Sequence, residues 1–312
     1  AALTATLKDA TGTADVANIN FAGTGNKVVT SFGSSGIDTY NIVSGGTLAT
    51  QTNAVTTLTD TLNTTAKVVI TGANALTVGA ITTNTAATTA TATVASALKE
   101  IDASAATGNV TLGNGTALGT SAIIGTSGFN TTYDGLKVTT GSGDDTITIA
   151  AKNAVVVAGA GDDIVTVSGT GASVDTGAAK TATGDTVNFN NENQSATFGA
   201  GKQTAVIGAA ADVGTALTSV TTITGAATGD VINLAAALTT AATVDSIIDV
   251  TAFIGSAASL AAALNVAEGL GAEVAAGDLV YFRWVDGNTY ILADKVGADA
   301  SALIADTADA VV

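Results

Sequence analysis

The stretch 136–175, LKVTTGSGDDTITIAAKNAVVVAGAGDDIVTVSGTGASVD, contains the same short phrase twice. GSGDDTITI starts at Gly141 and GAGDDIVTV starts at Gly159. Each copy follows most of the nonapeptide pattern G-G-x-G-x-D-x-U-x, in which glycines turn the chain and a large apolar residue enters a strand. The aspartate positions of the two copies are Asp145 and Asp163. This repetition predicts a mainly β fold, a parallel β-roll or β-solenoid built from short strands.

The spacing of the two copies supports this prediction. Asp163 follows Asp145 by the length of two nonapeptides. In a solenoid with two nonapeptide half-turns per coil, this spacing returns the chain to the same edge one layer further along the stack. Neighbouring strands lie roughly 4.8 Å apart. We therefore expect the two carboxylates to lie in register on adjacent coils.

The residues of both phrases are candidate cation ligands. Two carboxylates in register can share one ion, and loop carbonyls can complete a shell of oxygens, which suits Ca²⁺ with its roughly 6–8 oxygen ligands. The chain has no His and no Cys, the ligands that softer metals prefer. The alternative interpretation, that Gly and Asp only form turns, stays open because both tolerate positive φ. The candidate calcium ligands in the two phrases are Asp144, Asp145, Asp162, Asp163, Gly141, Gly143, Gly159 and Gly161.

Three weaker copies of the phrase occur elsewhere. TGDTVNF places Asp185 further from Asp163 than two nonapeptides, so four extra residues have to bulge out of that coil. GSSGIDTYN carries Asp38, and GTSGFNTTY has Asn130 in the aspartate position. Asp185 and Asp38 are therefore further candidate ligands. The nonapeptide between the two strong copies lacks both the glycines and the aspartate, so calcium is expected along one edge of the roll at most.

Composition argues against several classes of function. The 26 acidic and 10 basic residues give a formal net charge of −16, which disfavours nucleic acid as a partner and favours cations. No window of about 18 strongly apolar residues predicts a transmembrane segment. Because His is absent and Lys is scarce, the usual general bases are missing, and we do not expect an enzyme. The chain starts at Ala1 without a Met or a Sec-type signal pattern, so we expect a processed form or a fragment.

The chain divides into three predicted domains. Residues 1–105 form a β-rich domain of short β-prone runs, whose spacing suits a sandwich or a solenoid equally. A helix is predicted over Val94–Asp102, from apolar residues at i, i+4 and i+7. Residues 106–233 alternate small residues with Val, Ile and Leu, as narrow coils require, and form the predicted roll.

Residues 234–312 form the third predicted domain, a cap. Two Ala-rich helices are expected, over Ala235–Ile248 and Ser256–Gly269. GDLVYFRWVDGNTYILAD, from position 277, predicts a hairpin around its Asp-Gly turn. The aromatic residues of this hairpin are expected to form the core of the cap rather than a sugar-binding patch.

At the two GDD phrases the chain resembles the RTX (repeats-in-toxin) calcium-binding β-roll. ITGAATGDVINLAAAL from Ile223, the aromatic hairpin and the acidic tail GADASALIADTADAVV resemble the C-terminal part of RTX-type surface-layer proteins and other type I-secreted proteins of Gram-negative bacteria. Thr140 and Ala158 stand where the family pattern has its first glycine. The resemblance covers roughly residues 136–312, and the first half of the chain adds only its composition.

The resemblance implies a structural protein that is exported by type I secretion, folds on meeting external calcium and assembles into a surface layer on the cell. Its implied partners are further copies of itself and a cell-surface polysaccharide. Calcium would neutralise and join the aspartate-bearing loops, and so act as both fold ligand and assembly switch. A secreted calcium-binding adhesin or an extracellular matrix filament subunit is the alternative, because lattice and fibre differ only in how the subunit contact closes.

Overall fold

The computed structural model describes most of the chain up to residue 233 and short pieces beyond it. The described residues are 2–6, 12, 14–83, 93–113, 130–191, 193–208, 221–233, 247–249, 251–254, 257–259, 262–263, 266, 279–285, 287, 289–293 and 310–311. Within them, the chain is built almost entirely from short β-strands.

The strands are numbered in chain order. The first ten are β1 Ala2–Thr6, β2 Val16–Phe21, β3 Lys27–Val29, β4 Ser31–Ser35, β5 Thr39–Ser44, β6 Thr52–Asp60, β7 Lys67–Gly72, β8 Ala75–Thr83, β9 Thr93–Ala95 and β10 Glu100–Ala106. The next ten are β11 Val110–Leu112, β12 Asn130–Thr132, β13 Lys137–Thr139, β14 Thr146–Ile149, β15 Val155–Val157, β16 Ala160–Gly161, β17 Ile164–Val167, β18 Ser173–Asp175, β19 Ala178–Ala179 and β20 Asp185–Phe189. The last eight are β21 Ser195–Thr197, β22 Gln203–Ile207, β23 Thr222–Thr224, β24 Val231–Asn233, β25 Ile247–Asp249, β26 Leu279–Arg283, β27 Thr289–Ala293 and β28 Ala310–Val311, and helix α1 is Thr251–Ile254.

Two long parallel sheets contain most of these strands. The first sheet has the order β1-β4-β6-β8-β11-β14-β17-β20-β22-β24, with β3 also pairing with β6. The second sheet has the order β2-β5-β7-β10-β13-β15-β18-β21-β23. Because the chain alternates between the two sheets, each coil adds one strand to each of them. The predicted parallel β-roll or β-solenoid class is therefore confirmed.

The core lies between the two sheets and follows the period of two that strands impose. In β14, Ile147 and Ile149 are buried while the two threonines face outward. Ile147 pairs with Val165 on the next coil, and Val165 pairs with Val187 on the one after it. Apolar side chains thus stack layer on layer, which is how a narrow solenoid buries a core without large aromatic residues.

One residue with a positive φ lies at the same corner of successive coils. Gly135, Asn153, Gly171 and Asn193 each lie two residues before a strand of the second sheet, and each has a φ between 51° and 75°. Asn and Gly are the residue types that adopt this conformation most readily. The Asn153 side chain also donates a hydrogen bond to Asp134 Oδ1 on the neighbouring coil, at 2.8 Å, so the corner also joins neighbouring coils.

The sheets continue through the boundary predicted at residues 105 and 106. β10 pairs with β7 on one side and with β13 on the other, so residues on both sides of that boundary belong to one stack. The helix predicted over Val94–Asp102 is wrong, because this segment contains β9 and the start of β10. Ile101 and Ala103 are buried at the spacing of a strand, and pairing with two neighbouring strands overrides the local helical pattern.

The C-terminal residues form a smaller four-stranded sheet with the order β25-β26-β27-β28. β26 and β27 pair antiparallel, as the predicted hairpin requires. Phe282 is buried and stacks on Tyr290, and Ile291 packs against the solenoid core. Phe282 is therefore a buried aromatic of the hairpin as predicted, whereas Tyr281, Trp284 and Tyr290 are only half-buried. No helix among the described residues is long and apolar enough to cross a bilayer.

The Ala-rich helices predicted in the cap fall mostly outside the described residues. Of the first, over 235–248, only the last two residues are described, and they lie in β25. Of the second, over 256–269, residues 262–263 and 266 are helical and 257–259 are not. The short helix α1 lies between the two predicted helices.

Candidate cation site

The predicted register of the aspartates is confirmed by the strand pairing. Asp145 precedes β14, Asp163 precedes β17, and Asp185 is the first residue of β20. Thr146 pairs with Ile164 and Ile164 with Thr186, so the three aspartates occupy one position on three successive coils. The four extra residues of the longer coil lie between β18 and β20 and leave the pairing undisturbed. We call Asp145, Asp163 and Asp185 the inner column.

Each carboxylate of the inner column binds the backbone of the preceding coil. Asp145 Oδ1 accepts a hydrogen bond from the N–H of Val110, at 2.6 Å. Asp163 Oδ1 accepts one from the N–H of Asp145 at 2.7 Å, and Asp185 Oδ1 accepts one from the N–H of Asp163 at 2.9 Å. The column therefore ties four consecutive coils together through the first oxygen of each carboxylate.

The second oxygen of each inner carboxylate has no hydrogen-bond partner. The three residues are 1 %, 0 % and 1 % exposed, so water does not solvate these atoms from the surface. No Lys or Arg forms an ion pair with the column within the parts of the chain that the structure describes. A buried charged carboxylate oxygen without a partner is costly, so either a proton or a bound cation would stabilise this column.

Burial raises the pKa of the inner carboxyl groups. The pKa of Asp145 rises to about 6, mainly because burial disfavours its charged form. The pKa of Asp163 rises to about 8, first because of burial and then because Asp145 and Asp185 lie on either side of it. The pKa of Asp185 is also raised by burial. Three neighbouring acids thus resist being charged together unless a cation compensates them.

The column continues beyond the residues that the repeats identify. Gln203 pairs with Asp185 on the next coil, and its N–H donates to Asp230 Oδ1 at 2.8 Å. Gln203 Oε1 is buried without a partner. The sequence interpretation missed both residues, although GAGKQTAVI from Gly199 repeats GAGDDIVTV with Gln in place of the aspartate. Gln203 also follows Asp185 by the same interval that separates Asp163 from Asp145.

The first aspartate of each GDD phrase points away from the inner column and binds the following coil. Asp144 Oδ1 accepts a hydrogen bond from the N–H of Asp162 at 3.2 Å. Asp162 Oδ1 accepts from the N–H groups of Lys180 and Thr181 at 2.9 and 2.8 Å, and the Thr181 hydroxyl donates to its other oxygen. These bonds, led by the Thr181 hydroxyl, lower the pKa of Asp162. Lys180 Nζ also lies 3.6 Å from Asp144 Oδ1. This ion pair is solvent-exposed and adds little to stability.

The glycines of the two phrases allow the coils to approach closely. A Cβ at Gly159 would lie 2.1 Å from the carbonyl oxygen of Gly141, and one at Gly161 would lie 2.3 Å from that of Gly143. The carbonyls of Gly141, Gly159 and Gly161 accept hydrogen bonds from N–H groups of the following coil. We predicted Gly141, Gly159 and Gly161 as calcium ligands. One lone pair of each of their carbonyl oxygens is instead occupied by a hydrogen bond to the following coil.

The remaining predicted positions lie apart from the column. Asp38 precedes β5 in the second sheet, where its Oδ2 accepts from the N–H of Asp15 at 2.8 Å. Asn130 lies in β12, which pairs only with β9 in a separate small sheet among the described strands. The structure thus brings together Asp145, Asp163 and Asp185, and it places Asp38 just before β5 in the other sheet.

The donor set of the inner column contains only oxygen atoms. Its atoms without partners are Asp145 Oδ2, Asp163 Oδ2, Asp185 Oδ2 and Gln203 Oε1, which are the hard ligands that Ca²⁺ takes. Among the described residues, no group of three or more His, Cys, Asp or Glu side chains converges on one point. At any one point the described residues therefore offer at most two of these side chains.

These features define a parallel β-solenoid with a buried ladder of aspartates at the N-terminal ends of three neighbouring strands of the first sheet. No family model matches the sequence, and neither the curated proteins nor the solved structures include a chain with significant similarity. Function has to be inferred from the geometry of the chain itself.

Proposed function

We propose that this chain is a structural, self-assembling cell-surface protein whose solenoid is stabilised by Ca²⁺ bound between the carboxylates of the inner column. The observation that carries the proposal is the set of three buried carboxylate oxygens in register, each without a partner. The protein has no catalytic role in this proposal. Its function is mechanical, and calcium controls whether the coils are locked.

The spacing of the coils favours calcium over smaller ions. Equivalent atoms on adjacent strands are separated by roughly 4.8 Å. An ion midway between two such oxygens lies about 2.4 Å from each, within the roughly 2.3–2.6 Å range of Ca²⁺ and beyond the roughly 2.0–2.1 Å that Mg²⁺ demands. Asp145 and Asp163 bound one gap of this kind, and Asp163 and Asp185 bound the next. Second lone pairs of loop carbonyls supply further ligands in each gap.

The net negative charge of the chain is the proposed link between the cation site and self-assembly. A chain with a formal net charge of −16 opposes both its own compaction and the approach of further copies. Calcium in the column removes part of this charge where it is least solvated. Locked coils then present fixed edges to neighbouring copies, which gives a surface layer or, as the alternative, an adhesin or matrix filament at the cell surface. A polysaccharide of the cell surface is the proposed anchor.

The test compares one purified sample in chelator and in millimolar CaCl₂. We expect calcium to raise the melting temperature by several degrees and to produce ordered sheets or fibres under the electron microscope, whose symmetry decides between lattice and filament. Asp163→Asn should abolish most of the calcium-dependent shift. Asp175→Asn is the matched control, because Asp175 is exposed on the second sheet.

The outcomes separate the parts of the proposal. If neither the melting temperature nor the assembly responds to calcium, the cation site is wrong and the GDD phrases serve only as staples between coils. If the melting temperature rises and no assembly follows at any protein concentration, the site stands and the surface-layer function is wrong.

A further inference from the structure

Gln203 follows the inner column on the coil after Asp185. The two residues pair in register between β20 and β22, and Asp185 is 1 % and Gln203 0 % exposed. The phrase GAGKQTAVI thus carries an amide where the two GDD phrases carry Asp145 and Asp163. Beyond the two gaps of the column, a further space between coils therefore lies between Asp185 and Gln203, and we call it the amide site.

Gln203 does not repeat the hydrogen bond that the aspartates of the column make. The N–H of Asp163 donates to the carboxylate of Asp185 at 2.9 Å. The N–H of Asp185 donates instead to the backbone carbonyl of Lys202, at 3.2 Å. Gln203 Nε2 donates to the carbonyl of Ala200 at 3.4 Å, and Gln203 Oε1 is left buried without a partner.

The side chains of Asp185 and Gln203 are close neighbours. Burial raises the pKa of Asp185, while the N–H of Asp163 and the Gln203 side chain lower it, so the amide lies next to the carboxyl group. Among the described residues, no group donates a hydrogen bond to Asp185 Oδ2 or to Gln203 Oε1. A carboxylate oxygen and a glutamine carbonyl oxygen are both ligands that Ca²⁺ takes.

The amide site carries less negative charge than the two gaps of the column. A neutral amide replaces one carboxylate, and Lys202 stands where the GDD phrases carry Asp144 and Asp162. The affinity of an oxygen site for Ca²⁺ depends on the charge of its ligands, and weak sites have dissociation constants of about 0.1–1 mM. The amide site should therefore fill after the two gaps.

We propose that the amide site binds a further Ca²⁺ ion, more weakly than the gaps between carboxylates, with Gln203 Oε1 and Asp185 Oδ2 as ligands. The solenoid then responds to calcium in two stages, and the coils that contain β20 and β22 lock only in the second. The inference rests on the proposed function, because Asp185 also borders a gap of the column. It adds a neutral ligand and a second range of calcium concentration.

The test follows the melting temperature of the whole chain from chelator to about 10 mM CaCl₂. For the wild type we expect one rise as the two gaps fill and a second rise at about 0.1–1 mM CaCl₂. Equilibrium dialysis with radioactive calcium counts the ions bound at each stage, and the second stage should add one ion per chain.

Gln203→Met removes the amide and keeps a side chain of similar length. In chelator this variant should melt at a higher temperature than the wild type, because a buried oxygen without a partner is gone. It should bind one ion fewer and lack the second rise. Its advantage over the wild type should therefore shrink above about 1 mM CaCl₂, which a purely structural role of the glutamine does not predict.

Gln194→Met is the matched control. Gln194 is 1 % exposed, but both ends of its amide are bonded: Oε1 accepts from the N–H of Asn191 at 3.2 Å and Nε2 donates to the carbonyl of Gly169 at 2.9 Å. Its substitution should lower the melting temperature by the same amount in every buffer and leave the number of bound ions unchanged.

Gln203→Glu keeps the test informative if the methionine variant alters folding. Glutamate has the shape of glutamine and adds a carboxylate beside Asp185, so this variant should melt at a lower temperature in chelator. Its second rise should move to a calcium concentration at least about tenfold lower, because the site gains a charged ligand.

The outcomes separate this inference from the proposed function. If the wild type does not respond to calcium at all, the cation site of the column and the amide site are both wrong. If the wild type shows the first rise while Gln203→Met keeps the second rise and the full number of ions, the amide site alone is wrong. A second rise of Gln203→Glu at the wild-type concentration would likewise overturn the amide site alone.

Discussion

Replacing Asp163 by Asn should change stability in opposite directions with and without calcium. The new amide would keep an oxygen that can accept the N–H of Asp145, now bound at 2.7 Å, while the substitution removes the charge from the centre of the inner column. In chelator the variant should be more stable than the wild type. In calcium it should lose most of the stabilisation that the ion gives, because Asp163 borders both gaps of the column.

The expected size of the first effect comes from the pKa of Asp163. Burial and two acidic neighbours raise this pKa from 3.8 to about 8, and each unit is worth about 1.4 kcal/mol. At pH 7 the folded state must therefore hold a proton on this carboxyl or bear a cost of up to about 4 kcal/mol relative to the unfolded chain. We expect Asp163→Asn to raise the free energy of unfolding in chelator by about 2–4 kcal/mol.

The second effect follows from ligand binding to the folded state. An ion present at about 100 times its dissociation constant stabilises the folded chain by about 2.7 kcal/mol per site. The wild type, with two gaps, should gain about 5 kcal/mol at that concentration, and the variant should gain a small fraction of this.

The assay is urea unfolding at pH 7, followed by circular dichroism, in chelator and in millimolar CaCl₂. Asp175→Asn should lie within about 0.5 kcal/mol of the wild type in both buffers. If Asp163→Asn is destabilised in chelator, the carboxylate serves as a hydrogen-bond acceptor and its charge has no cost. If it keeps the full response to calcium, the ion binds elsewhere.

Three further predictions concern pH, ion size and glycine packing. The folded pKa values of Asp145, Asp163 and Asp185 all lie above the unfolded value of 3.8, so the folded state binds more protons than the unfolded chain. The free energy of unfolding in chelator should therefore be greatest near pH 4 and should fall as the pH rises to about 8. Urea midpoints across this range should show the fall, and a rise would contradict the burial of these carboxyl groups. Millimolar MgCl₂ should raise the melting temperature less than half as much as CaCl₂, because the gap between coils is too wide for Mg²⁺. An equal shift of the melting temperature in a calorimeter would mean that the charge of the ion, and not its size, decides the stabilisation. Gly159→Ala should lower the free energy of unfolding by about 3 kcal/mol, because its Cβ would lie 2.1 Å from the Gly141 carbonyl oxygen at a φ of 93°. Gly23→Ala is the control, with a φ of 79° and no atom within 4 Å of the added Cβ, and it should lower the free energy of unfolding by only about 1 kcal/mol. Equal losses in urea unfolding would show that backbone conformation and not the close contact decides the cost.

The stacking of the coils was predictable from the sequence because stacking depends on spacing alone. The interval between Asp145 and Asp163 equals one coil, and the bulge before Asp185 follows from simple counting. The C-terminal hairpin was predictable for a similar reason, since an Asp-Gly pair between apolar runs is a local turn signal.

Other features depend on contacts that spacing does not reveal. Val94–Asp102 has helical periodicity, but strands on both sides of β10 fix it as β structure. Asp144 and Asp145 are adjacent and chemically identical, yet Asp144 binds the following coil and Asp145 the preceding coil. Gln203 was missed because it carries no carboxylate, although its amide oxygen can serve the same position.

The unequal length of the coils has a consequence for how such a chain can diversify. Asp145 and Asp163 are 18 apart in sequence, Asp163 and Asp185 are 22 apart, and Val110 and Asp145 are 35 apart, yet each pair is in register on neighbouring coils. Between Asp163 and Asp185 the extra residues lie between β18 and β20, where lengthening a loop costs little. The stack can therefore acquire new surface segments at its corners while the pitch of the scaffold, and with it the spacing of the carboxylates, stays constant.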